Sequence, residues 1–173
     1  MKTRLLLAAL AVLAALPSFA ANEEMRKLDF LVGEWTGEAT VQMGARPERV
    51  LQTENVQAKL DGKVLVIEGL GRRKNADGTP GDVVHDALGV ISWNEAKKNY
   101  RFATWLANRP DVEAAMEVTG PDQVKWWADT PNGGKMRYTI SLTESGEWLE
   151  TGEFSQDGVQ FKPFFAMRLK KVK

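Results

Sequence analysis

The chain has 173 residues, 43% hydrophobic and 27% charged, with 23 basic and 23 acidic side chains. That balance fits one folded domain and excludes both a disordered chain and a basic nucleic-acid-binding protein. Cysteine is absent and His85 is the single histidine, which excludes disulfides, thiolate nucleophiles and any multi-histidine metal centre within one chain.

Residues 1–20 read as an address. Lys2 and Arg4 precede an unbroken apolar run over residues 5–16, and Pro17-Ser18-Phe19-Ala20 supplies the small residues that a signal peptidase reads. The run is 12 residues long and ends at a proline, whereas a spanning helix needs roughly 20 apolar residues. The expectation is a secretory signal peptide cleaved after Ala20. No twin arginine is present, so the expected route is general export of an unfolded chain. Residues 21–173 then form a single periplasmic or secreted domain. Losing Lys2 and Arg4 leaves 21 basic and 23 acidic residues, a formal charge of −2. A domain of this size buries roughly 68–70% of its unfolded surface and needs no disulfide staples.

Residues 22–31 predict the one helix. Asn22 suits the cap, Glu23 and Glu24 suit the positive N-terminal end, and Met25, Leu28 and Leu31 recur at helical spacing. Gly33 ends it. From Trp35 the apolar period becomes two. Trp35, Gly37, Ala39, Val41 and Met43 alternate with polar residues, as in a half-buried strand. A second strand over residues 50–60 points Val56, Ala58 and Leu60 inward. Asp61-Gly62 then signals a type I′ hairpin turn, in which both central residues need positive φ. The third strand spans residues 63–71. Residues 72–86 are polar and carry Gly and Pro, as in a long loop or an extended hairpin tip.

Seven further strands follow, over residues 87–93, 100–106, 112–118, 123–128, 136–142, 147–155 and 161–171. Turn signals separate them, among them Gly120-Pro121-Asp122, Asn132-Gly133-Gly134, Gly146 and Asp157-Gly158. No helix intervenes, which excludes parallel βαβ units, and no blade repeat signals a propeller. Such a meander closes into a barrel or splits into a sandwich. Closure removes both edges, and the last strand is long and regular enough to pair back with the first. The expected fold is all-β: a roughly ten-stranded, antiparallel, up-and-down barrel with a short N-terminal helix.

Residues 28–37, LDFLVGEWTG, resemble the opening of calycin-superfamily barrels, which place a G-x-W between a short helix and the first strand. More closely, the chain resembles the bacterial family called domain of unknown function 1579. The resemblance rests on that opening, on Leu60-Asp61-Gly62-Lys63, on LGVISW over residues 88–93, on Ser155-Gln156-Asp157-Gly158 and on the aromatic residues of 161–165. It covers roughly residues 28–172. It implies a calycin-like barrel of lipocalin or fatty-acid-binding-protein type and brings no catalytic residue. In calycins the tryptophan packs across the closed end, with a basic side chain of the last strand against it. The resemblance therefore gives Gly33 and Trp35 structural roles and makes Arg168 the cation, with Lys170 the alternative. Haem-binding relatives of this barrel ligate iron through a late-strand histidine. The late strands here have none, so no haem and no other cofactor is expected.

An eight-stranded barrel is just filled or holds one small ligand, and diameter grows with strand number. Alternation places Val41, Met43, Val56, Ala58, Tyr100, Phe102, Met116, Val124, Trp126, Met136, Tyr138, Ile140, Phe165 and Met167 inside. The set is apolar with two hydroxyl-bearing aromatics, the composition of a small-molecule pocket. The candidate ligand-binding residues are Met43, Tyr100, Phe102, Met116, Trp126, Met136, Tyr138, Phe165 and Met167, and the expected ligand is small and hydrophobic or amphipathic. The first alternative is a filled barrel whose surface meets another protein. Trp105, Trp127 and Trp148 fall out of phase with the inward residues, and either pack under loops or mark such a surface.

A second alternative is a hydrolase- or isomerase-type enzyme with a buried carboxylate, for which Glu68, Glu150 and Glu153 are the candidates. Outward, solvated glutamates are the commoner arrangement. No G-x-S-x-G elbow, Walker motif or dinucleotide fingerprint is present, and only His85 could serve a triad, so no catalytic residue is assigned. Residues 75–82 with His85 and Asp86 gather metal-ligand types. They do not follow the EF-hand pattern, and turns are built of the same residues, so no metal site is assigned.

Overall fold

The computed structural model describes residues 22–42 and 44–173. Residues 1–20, where a signal peptide is expected, and the candidate ligand-binding residue Met43 lie outside the described residues. Asn22 caps helix α1 (Glu23–Arg26), its side-chain oxygen accepting from the Glu24 backbone N–H at 2.9 Å. A 3₁₀ turn over Asp29–Leu31 follows. The predicted ten-residue helix is therefore two short pieces. So short a helix holds together only by packing, and Met25, Leu28 and Leu31 are all buried.

Among the described residues the remaining regular structure is strand: β1 (Gly33–Val41), β2 (Glu48–Lys59), β3 (Val64–Lys74), β4 (Pro80–Asn94), β5 (Asn99–Leu106), β6 (Arg109–Gly120), β7 (Gln123–Asp129), β8 (Lys135–Leu142), β9 (Trp148–Ser155) and β10 (Lys162–Lys171). Each pairs antiparallel with its neighbours in sequence, and β10 pairs with β1 from Trp35↔Lys171 to Val41↔Phe165. The sheet is thus a closed ten-stranded up-and-down barrel.

The predicted turn at Asp61-Gly62 is present. Asp61 and Gly62 take φ of 54° and 79°, and the Lys63 N–H donates to the Leu60 carbonyl at 3.2 Å. Leu60 is not inward as expected. It belongs to this turn, with φ of 52°, and is 73% exposed. Residues 72–86 form an extended hairpin rather than a loop. Its tip is tied by Asp77, which accepts from the Thr79 N–H and hydroxyl. Salt bridges from Arg73 to Glu48 and from Lys74 to Glu38 fasten its base to β2 and β1.

The N-terminal segment packs at one end of the barrel. The Trp35 indole N–H donates to the Leu31 carbonyl at 2.8 Å, and the Tyr100 hydroxyl donates to the Glu24 carbonyl at 2.7 Å. Trp35 meets Trp148 edge to face at 5.6 Å. Val56, Leu65, Ile91, Val124 and Leu169 are buried in the same core. Gly33 has φ of 138°, and a Cβ there would lie 2.6 Å from the Lys173 backbone carbonyl oxygen, so both backbone and space call for glycine.

Two expectations are corrected at this end. Trp148 is not out of phase: it shares the inward side of β9 with Glu150 and Gly152 and is 2% exposed. Arg168 does not meet Trp35. The alternation that turns Met167 inward turns Arg168 outward, where it pairs with Glu147 at 2.6 Å. Lys170 is outward as well and lies 3.9 Å from Glu147. The cation beside Trp35 is Lys171, its direct partner across the β1–β10 ladder, with Nζ 5.2 Å from the ring centroid.

Trp35→Ala removes the largest buried side chain of this core. It is expected to destabilise the protein by about 3–5 kcal/mol, read by denaturant unfolding. A loss below about 1 kcal/mol contradicts the packing described.

Candidate functional site

Toward the opposite end the barrel interior changes character. Trp126, Met136, Tyr138 and Phe165 sit at inward positions of β7, β8 and β10 yet are only half-buried. In a closed barrel, solvent reaches such side chains through the lumen. The indole of Trp126 stacks on Tyr138 at 4.0 Å with planes 7° apart. Phe102 meets Trp126 edge on at 5.4 Å, and Phe165 meets Tyr138 at 5.7 Å. The structure therefore brings Phe102, Trp126, Tyr138 and Phe165 into one aromatic wall, with Met136 and Met167 on the same inner face. Tyr100 and Met116 also face inward, but they are buried near the closed end.

Two carboxyls share this lumen. Glu54 on β2 and Glu150 on β9 occupy inward positions, and each is 8% exposed. Glu54 accepts one hydrogen bond, from Gln52 Nε2 at 2.8 Å. Glycines on β3 make the room: a Cβ on Gly69 would stand 2.8 Å from Glu54 Oε2, and one on Gly71 would stand 2.5 Å from Gln52 Oε1. Burial raises the Glu54 pKa to about 7, against a smaller lowering by Gln52. Burial raises Glu150 to about 8, and the charge of Glu54 pushes it the same way. The indole N–H groups of Trp148 and Trp126 pull Glu150 weakly down. The Trp148 N–H is buried and completes no well-formed hydrogen bond.

Two further groups respond to this environment. Burial holds the Tyr138 hydroxyl above its ordinary pKa, and Glu150 adds to the shift. Burial lowers the His85 pKa, with the Arg109 charge as a second cause and Asp86 opposing them.

Of the three glutamates singled out from sequence, only Glu150 is inside. Glu68 faces outward and accepts from Asn55 at 2.9 Å, and Glu153 pairs with Arg137 at 2.7 Å on the exterior. Glu54 and Gln52 were missed. They share the phase of Val56, so extending that alternation backward along β2 finds both, whereas Ala58, also expected inward, is exposed near the end of the strand.

Two outer hollows complete the concave surface. The β5–β6 ladder runs only from Phe102↔Ala114 to Leu106↔Arg109. Where it is missing, a groove of about 1130 Å³ lies against the N-terminal segment, bordered by Phe30, Lys98, Tyr100, Glu117 and Trp127. A smaller hollow of about 460 Å³ lies over Leu70, Leu88 and Trp105. Trp105 and Trp127 are 43% and 41% exposed, so neither is covered by a loop among the described residues.

The fold and this interior define a closed ten-stranded antiparallel barrel whose inner face carries half-buried aromatic rings and two buried carboxyls. The fold is similar to the crystal structure of Rv2717c from M. tuberculosis, with a TM-score of 0.61, 15% sequence identity, and coverage of 88% of this chain and 99% of that one. No family model and no curated protein matches the sequence.

The raised pKa values make stability fall with pH. Folding favours the protonated carboxyls, so their contribution is complete below about pH 4.5 and is lost as pH rises through about 7 and 8. Unfolding free energy is expected to drop by a few kcal/mol between pH 5 and 9. In the double variant Glu54→Gln/Glu150→Gln that drop is expected to shrink, leaving the variant more stable than wild type at pH 9. Parallel pH profiles for the two proteins contradict the assignment.

Proposed function

We propose that the protein is an exported, calycin-like barrel that holds a small amphipathic molecule in its lumen. The observation that carries this reading is the half-buried state of Trp126, Met136, Tyr138 and Phe165 at inward positions of a closed barrel. Those rings offer apolar area, and the deeper Gln52, Glu54 and Glu150 offer a few polar groups for orientation, which is the make-up of small-molecule sites. Tyr100 and Met116 form the floor toward the closed end, with Phe102 and Met167 in the wall above them. Entry is from the end where the β3–β4 hairpin extends. Export to the periplasm or medium is supported by the basic, apolar and small-residue pattern of residues 1–20.

A second reading is an interaction protein. The exposed apolar patch of Leu70, Leu88 and Trp105 on adjacent strands favours it. The two readings separate by experiment. Native mass spectrometry of protein purified from its own host is expected to show a bound mass that solvent extraction releases. A neutral solvatochromic dye such as Nile red is expected to bind, with affinity reduced about tenfold in Trp126→Ala. A clean unliganded mass together with dye binding unaffected by that substitution contradicts the lumen reading. Intact mass of the exported form is expected to correspond to a chain beginning at Ala21. A mass retaining residues 1–20 contradicts signal cleavage.

A further inference from the structure

We propose that the lumen recognises its ligand through an ammonium group, seated at the Glu54 and Glu150 carboxyls, with the ligand's apolar body against Trp126 and Tyr138. The proposal rests on the lumen being a ligand site, and it names the chemical class of that ligand.

Glu54 and Glu150 come from β2 and β9, which β1 and β10 separate in the barrel wall, so both project into the same interior. Two buried acids normally have a basic partner, because an isolated buried charge is costly. Here the charge that acts on Glu150 is that of Glu54, which is of the same sign. The groups around the pair on neighbouring strands are Trp35, Gly69, Trp126, Tyr138, Ile140 and Met167, and none is basic. Arg109 acts on Tyr138 and His85 instead. Glu150 is more than nine-tenths buried and aimed into the lumen, and the donors that act on it are the neutral indole N–H groups of Trp148 and Trp126, so hydrogen bonding brings it no positive charge.

An organic ammonium supplies what is missing. It carries up to three N–H donors and one positive charge, which pairs with the carboxyls. Its charge is also attracted to the ring faces of tryptophan and tyrosine. Among the described residues no cluster of three metal-ligating side chains is present, so the two acids lack the further ligands that a bare divalent cation takes from protein. A neutral hydroxyl gains hydrogen bonds alone and leaves the like charges of the pair uncompensated.

Three probes of one size and shape test the proposal: phenethylamine, 2-phenylethanol and 3-phenylpropionate. Each is titrated into the purified protein at pH 8 by calorimetry, with tryptophan fluorescence as a second signal. The amine is expected to bind at least tenfold more tightly than the alcohol, and the carboxylate most weakly. Amine affinity is expected to rise between pH 6 and 8.5, because protons must leave the pair, while alcohol affinity stays flat. Glu54→Gln/Glu150→Gln is expected to bring the amine down to the level of the alcohol. If that variant does not fold, the wild-type series and its pH dependence decide alone. Alcohol binding as tightly as amine, with both weakened in Trp126→Ala, overturns the ammonium assignment and leaves the lumen site standing. Failure of all three probes, together with no bound molecule in host-derived protein, overturns both.

Discussion

The ladder between β1 and β10 is the contact on which the rest of the molecule depends. Without it the chain is an open sheet with two wet faces and two free edges. With it, every strand has an inside and an outside, and alternate residues are committed to one or the other. The same ladder sets Lys171 opposite Trp35 and Phe165 opposite Val41, so the last strand supplies both an end and a wall of the interior.

Closure also creates an unequal interior. At one end α1 and the 3₁₀ turn cover Trp35 and Trp148, and the side chains there are buried. At the other end no helix is packed among the described residues, and the inward aromatics are left half-exposed. Between the two regions sit Glu54 and Glu150. Desolvation acts against their charged forms, and no basic group offsets it. A core selected only for stability gains by replacing such a pair with apolar side chains. Its presence in the lumen is what the ligand reading accounts for.

Most of the fold is legible in the sequence because period-two patterning and turn residues agree at nearly every strand. Asp61-Gly62 and Gly146 mark turns by backbone needs that tertiary contacts do not override. The hairpin of residues 72–86 was ambiguous for a physical reason. Most of its side chains are solvated, so no apolar alternation marks it as strand. The helix is shorter than its pattern suggests because the spacing of Met25, Leu28 and Leu31 fits an α-helix as well as two shorter turns.

The site was less legible. The aromatic wall follows from alternation, since Phe102, Trp126, Tyr138 and Phe165 are ordinary inward residues. The acids do not advertise themselves. A glutamate in a strand reads as outward, which is correct for Glu68 and Glu153 and wrong for Glu54. Only the phase shared with Val56 separates them. Arg168 was assigned by resemblance against the phase of its own strand, and the phase prevailed. The central claim, that two uncompensated carboxyls face one lumen, is tested most directly by following their side-chain carbons by NMR through a pH titration of the free protein. The account predicts that Glu54 and Glu150 both titrate above pH 6, each step perturbed when the other residue is changed to glutamine. Titration of both near pH 4.5 contradicts it.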